Sequence, residues 1–282
     1  MGRVARRDNR CAGRIEMVKN NEEQGAIVIP ELEMRTVRIG LLGLTPYICN
    51  RMAKKAKEEL LNPSKRAQTT ADRAVRPQKH NPLEEYRDSP ERLVDGPTLL
   101  GVKAAAIKKA MATAALDMPG AKKAQVARLV WVPADRSGLL PLYGVPELLM
   151  AVVRQAGINR TPDIRTRAAI PRWACVVDIQ YVHPLLTQVA LTRLASAAGR
   201  MVGIGDGRQE KGALDFGQFT IVAPDDSDLL RVIEEGGRAA QQAAMAAPVF
   251  YDAETAELYA TWTPRQEDKS RLVTAGRNGG SK

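Results

Sequence analysis

The order of apolar segments predicts an α+β fold: a β-α-β-β-α-β core carrying two large insertions and basic terminal arms. Three observations carry this reading. Two alanine- and leucine-rich runs, at 101–117 and 185–198, have helical spacing. Four aliphatic, β-branched runs alternate with them, at 35–45, 125–132, 173–182 and 216–222. Long polar, proline-bearing stretches fall at 46–100 and 133–172, and loops of that length inside a compact domain usually serve function.

Residues 1–24 form a basic arm, with Arg3, Arg6, Arg7, Arg10, Arg14 and Lys19 close together. The first strand, RTVRIGLLGLT at 35–45, ends at Thr45-Pro46, because the residue before proline is restricted. A short basic helix is expected at 51–61, with Arg51, Lys54, Lys55 and Lys57 along it. From there to Pro97 the chain reads as irregular, with prolines at 63, 77, 82, 90 and 97. Over 51–79 there are nine Lys/Arg against three Asp/Glu.

The segment GVKAAAIKKAMATAALD, 101–117, is the clearest helix: alanine is abundant, and Ile107, Met111 and Ala114 recur on one side. Pro119-Gly120 ends it. QVARLVWV, 125–132, reads as a strand. The second insertion is expected to be irregular, with a short helix near 147–155 and a basic end bearing Arg160, Arg165, Arg167 and Arg172. After the 173–182 strand and the 185–198 helix comes GRMVGIGDGRQEKGALDFGQFTIV, in which Gly203, Gly205, Gly207, Gly212 and Gly217 crowd around Arg208 and Lys211. Beyond 222, a helix is expected near 227–246, a short strand near 257–262, and a polar tail.

This order divides the chain into the arm at 1–24, a core at 25–222 and a C-terminal helical extension with tail at 223–282. The βαββαβ order is that of ferredoxin-like, or RRM-like, folds, which host many functions.

Charge narrows the function. A net charge of +10 points to a polyanionic partner. Cys11, Cys49 and Cys175 are widely spaced, with no CxxC and no Cys/His cluster, so no metal site and no cofactor are expected. No apolar run is long enough to span a bilayer, and the odd cysteine count fits a reducing cytoplasm. GxxxxGK[ST] is absent, and GIGDGR enters a strand rather than opening a helix, so neither a P-loop nor a dinucleotide site is expected. A glycine loop can instead turn successive N–H groups toward an anion, or simply pack a helix against a strand.

Two local motifs carry a family resemblance. The helix AAAIKKAM at 104–111 resembles the G-S-S-[LI]-K-G-x-[LM] helix start of the RAMP superfamily, with Ala104–Ala106 in place of G-S-S and Lys109 in place of the glycine. The loop ending in FGQF at 216–219 resembles that superfamily's G-x-G-…-[FY]-G-x-F segment. Over 35–222 the chain is similar to a backbone subunit of a CRISPR effector complex. GIGDGRQEKG…FGQF is also similar to chains carried by phages and mobile elements.

The resemblance implies a non-catalytic subunit on single-stranded RNA, with single-stranded DNA as the alternative. It also implies copies of the chain along the strand, other effector subunits as further partners, and insertions that grip the guide. It implies a phosphate contact at Lys108. The candidate nucleic-acid contacts are Lys103, Lys108, Lys109, Gly203, Gly205, Gly207, Arg208, Lys211, Arg165, Arg167, Arg51, Lys54 and Lys55. Against this stand an endoribonuclease of the same fold, using His80 as general base, and a coat or assembly protein. Asp72, Asp88 and Asp95 lie in the first insertion, but no motif singles one out as catalytic.

Overall fold

The computed structural model describes residues 30–61, 80–154, 161–210 and 214–262. The basic arm at 1–24, Cys11, Asp72, Arg160, Lys211, the Lys55 side chain and the polar tail lie outside the described residues.

The chain begins with β1 (Glu33–Gly43), a short β2 (Tyr47–Ile48) and α1 (Lys54–Leu61). There follow α2 (Pro82–Asp88), β3 (Glu91–Arg92), β4 (Leu100–Lys103), α3 (Ala104–Ala114), α4 (Lys123–Leu129) and β5 (Val130–Trp131). Next come β6 (Leu139–Pro141), β7 (Glu147–Arg154), β8 (Pro162–Ile170) and β9 (Ala174–His183). The remainder is α5 (Gln188–Ala197), a π-helical turn (Ala198–Val202), β10 (Phe219–Val222), α6 (Ser227–Glu235), α7 (Arg238–Ala246) and α8 (253–262).

The central sheet has the order β10-β1-β9-β5, antiparallel throughout. With β1, β5, β9 and β10 as the four core strands, this is the 4-1-3-2 arrangement of a ferredoxin-like βαββαβ unit, so the α+β core is as expected. Alternation along β1 explains its placement: Ile39 and Leu41 point into the core with Val37 packed beside them, while Thr36 and Arg38 stay exposed. Arg38 lies opposite Asp178 of β9, and the pair is bidentate, with both N···O distances 2.7 Å.

Helices α3 and α5 pack with the inward face of this sheet, through Ile107, Met111, Leu191 and Leu194. On the opposite face, α6 sets Leu229 and Val232 against Leu42, Val176 and Val222.

The two insertions are more ordered than the sequence suggests. In the first, Asn81 caps α2, accepting from the Glu84 N–H. Tyr86 of that helix is fully buried, and its hydroxyl donates to the carbonyls of Pro146 and Ala244. In the second, the described part of the helix expected near 147–155, residues 147–154, is not a helix. Leu148 and Met150 alternate inward and β-branched Val152 and Val153 follow, so this run is strand β7, paired from Glu147↔Ala169 to Arg154↔Pro162 with β8. β2 completes this second sheet as β2-β8-β7, and β3-β4-β6 form a third.

Three further expectations are corrected. The 125–132 run is mostly helix α4, whose alanines favour that state, and only Val130 and Trp131 pair with β9. The 227–246 helix is two helices separated by Gly236 and Gly237. The 257–262 strand is part of α8, started by Asp252, whose carboxylate accepts the Thr255 N–H at 2.7 Å.

A single buried amide ties α7 to the body. Gln241 Oε1 accepts the N–H groups of Leu99 and Leu100, at 2.8 and 2.9 Å. Its Nε2 faces the carbonyls of Leu142, Gly144 and Gly236, at 2.8 to 3.0 Å.

Candidate nucleic-acid interface

Four separate stretches of sequence deliver cations to one trough. Its larger part, about 750 Å³, lies between α3, α4 and the turn after α5. Alanines of α3 and α4 form its floor, and Lys103, Lys109, Lys123 and Arg208 stand around it. A smaller cavity of about 170 Å³ continues it toward Tyr47 and Arg51, sharing Lys103, Ala106 and Arg208. The alanine side chains keep the space open, while the lysines at both helix starts put charge at the edge.

Carboxylates reach into the same trough. Glu91, held on β3 by its pairing with β4, places Oε1 2.8 Å from Lys103 Nζ and Oε2 3.6 Å from Arg51 Nε. Glu210 lies 3.2 Å from Arg208 Nε, and Arg208 Nη1 also donates to the Gly205 carbonyl at 3.0 Å. Among the described residues, five cations and two carboxylates leave a net of three positive charges along the trough.

The glycine loop builds one wall of this trough, chiefly by packing. The N–H of Gly203 donates to Ala198, that of Ile204 to Gly217, and that of Asp206 to Ile48. Gly217 donates to Pro46. Gly217 has φ 72°, and a Cβ there would meet the Ile204 carbonyl oxygen at 1.7 Å. Gly205 has φ 93° and lies against the Ile48 carbonyl. The loop is thus clamped to the turn between β1 and β2, and Gly203 does not offer its N–H to an anion. Gly207, also at positive φ, continues the same turn beside Phe216.

Other expected residues fall elsewhere. Lys108 lies on a different side of α3, with Nζ 5.6 Å from the centroid of the Trp131 ring, a cation–π contact. Lys54 is exposed on α1, 3.9 Å from Glu58. Arg165 and Arg167 share a side of β8, which pairs antiparallel with β7. Arg167 is largely enclosed, 3.8 Å from Asp206. Burial lowers its pKa from the ordinary arginine value, and Asp206 acts in the opposite direction.

His80 is poorly placed to be a general base. Nδ1 lies 2.9 Å from Glu85 Oε1 and Nε2 3.0 Å from Asp163 Oδ1, so both ring nitrogens face carboxylates. Its carbonyl accepts from Trp262 Nε1, joining α2, β8 and α8 at one point. Asp88 ends α2, and Asp95 is exposed in the following turn. Cys49 and Cys175 are buried, and burial pushes each thiol up to about 12. Among the described residues no group of three His, Cys, Asp or Glu side chains is placed to hold a metal ion, and no helix is long and apolar enough to cross a membrane.

Sequence reasoning missed Lys123 and Glu91. Lys123 was hidden by the strand expected just after it; the Lys122-Lys123 pair before an alanine-rich run was the available signal. Nothing local marks Glu91, because its partners are 12 and 40 positions away.

No protein-family model and no curated protein sequence matches the chain. Among solved structures it is similar to a chain of "Cryo-EM structure of the Type III-B Cmr-beta bound to cognate target RNA", with a TM-score of 0.32 and 9% identity. That match covers 76% of this chain and 65% of the other, so this chain spans just under two thirds of its neighbour's length.

Proposed function

We propose that this chain is a non-catalytic subunit that binds single-stranded nucleic acid, RNA above all, and repeats along the strand in a CRISPR-type ribonucleoprotein. The convergence of Arg51, Lys103, Lys109, Lys123 and Arg208 on one trough carries the reading. Cations spaced along an open groove suit a chain of phosphates better than a single small anion.

Binding is mainly electrostatic on this reading. The sheet face opposite α3 and α5 offers Thr36, Arg38, Asp178 and Gln180, with Trp131 opposite Gln180 at its edge rather than a row of aromatic rings, and α6 covers part of it. Base stacking therefore contributes little there. The motif resemblance adds to this reading, since Ala105, Ala106, Lys109 and Ala110 of the 104–111 segment and Gly203 and Gly205 of the glycine loop line the trough. Engagement of both His80 nitrogens favours binding over general-base catalysis.

The test is to purify the full chain on a sizing column, follow nucleic-acid absorbance, and digest what copurifies. A large assembly that carries RNA and collapses with ribonuclease, but not with deoxyribonuclease, is the expected result. A nucleic-acid-free species that fails to bind added single-stranded RNA at low salt overturns the proposal.

A further inference from the structure

Glu91 is a built-in competitor for phosphate, and we infer that it sets the affinity of the trough. This inference rests on the proposed nucleic-acid binding and concerns regulation of the same site.

The geometry is specific. One oxygen of the Glu91 carboxylate faces Lys103 Nζ at 2.8 Å, and the other faces Arg51 Nε at 3.6 Å. Two anionic oxygens thus lie between two cations from distant parts of the chain, an arrangement that a phosphodiester with its two non-bridging oxygens would also satisfy. The Glu91 side chain is only 24% exposed, against 61% for Lys103 and 35% for Arg51. The carboxylate is the fixed partner, anchored on β3, and the cations come to it.

Lys103 and Arg51 therefore face an arriving strand already partly neutralised. A strand must draw them away from Glu91 or share them with it. A single phosphate gains little in that exchange, whereas a continuous strand also gains Lys109, Lys123 and Arg208 at once. The trough consequently favours a polyphosphate chain over a mononucleotide and holds each contact weakly enough to exchange.

The test is Glu91→Gln in the full chain. Glutamine keeps the length and one acceptor oxygen, and removes the charge. Removing a unit charge about 4 Å from a contact in a solvated groove is worth about a fivefold change in affinity. Binding of a single-stranded RNA is expected to tighten by about that factor. The plot of log affinity against log salt steepens by about 0.7, the value for one further phosphate neutralised on a single strand. Glu234→Gln, an exposed site on α6 with the same change in net charge, is the control and leaves both quantities unchanged.

Unchanged or weaker binding by Glu91→Gln, with wild-type binding intact, overturns the inference and leaves the proposed function standing. Equal tightening by both variants also overturns it, since net charge alone then explains the effect. Failure of the wild-type chain to bind at all removes the functional reading, and this inference with it. Thermal melts of both variants establish that they remain folded.

Discussion

Replacing Lys109 and Lys123 by glutamine removes two of the trough's cations while keeping a polar side chain at each position. The net charge along the trough then falls from three to one. For a single strand, each phosphate neutralised contributes about −0.7 to the slope of log affinity against log salt. The double variant should therefore show a slope shallower by about 1.4, whatever the other basic segments add to both proteins. Relative to a 1 M reference, that change corresponds to an affinity loss of roughly tenfold at about 0.15 M salt. Fluorescence anisotropy with a labelled single-stranded RNA, repeated over a salt series, measures both numbers. Lys109 lies on the outer side of α3 and Lys123 is exposed at the start of α4, so neither change disturbs the core. An unchanged slope in a folded double variant would refute the assignment of the trough as the phosphate path. A uniform loss of affinity with no change in slope would do the same.

Gln241→Leu removes the acceptor for a buried and a part-buried N–H group and the two N–H donors shared among three carbonyls, so it should destabilise the chain by about 3–5 kcal/mol. Chemical denaturation measures this; a loss under about 1 kcal/mol would show that α7 does not depend on the clasp. Gly217→Ala forces a side chain into positive φ and onto the Ile204 carbonyl, and should destabilise by at least about 2 kcal/mol, read from the thermal midpoint. Asp178 has its pKa lowered, first by its hydrogen bond to Arg38. Its contribution is therefore present above the ordinary aspartate value and is lost as pH falls through the depressed one. The pair is largely exposed, so the margin of the wild type over Asp178→Asn should be below about 1 kcal/mol at neutral pH and should close in acid. A margin that grows on acidification contradicts this.

The parts of the fold that were legible in the sequence are those whose pattern is local. β1 alternates, the Ile107/Met111/Ala114 spacing is helical, and Thr45-Pro46 ends a strand; each follows from backbone geometry within a few residues. Order along the chain then made the βαββαβ core readable, whereas the 4-1-3-2 pairing is seen only in the folded chain. The misread segments were short and apolar. Residues 147–154 and 123–131 fit either state locally, and pairing with β8 and β9 decided between them. Residues 253–262 are a helix because Asp252 caps their first turn.

The candidate site divides in the same way. Charge and composition alone pointed to a polyanionic partner, because a net excess of cations acts at long range whatever the fold. Which cations act together was decided only in three dimensions. Lys103, Lys109 and Arg208 share a trough, whereas Lys108, adjacent in sequence, turns to Trp131, since successive helix positions are rotated by roughly 100°. The glycines likewise announced a close backbone approach, but only the folded chain shows that much of it is to Ile48, Pro46 and Ile204. Glu91 was the least foreseeable of all: electrostatic partnership depends on distance through space, and its two partners come from opposite sides of it in the sequence.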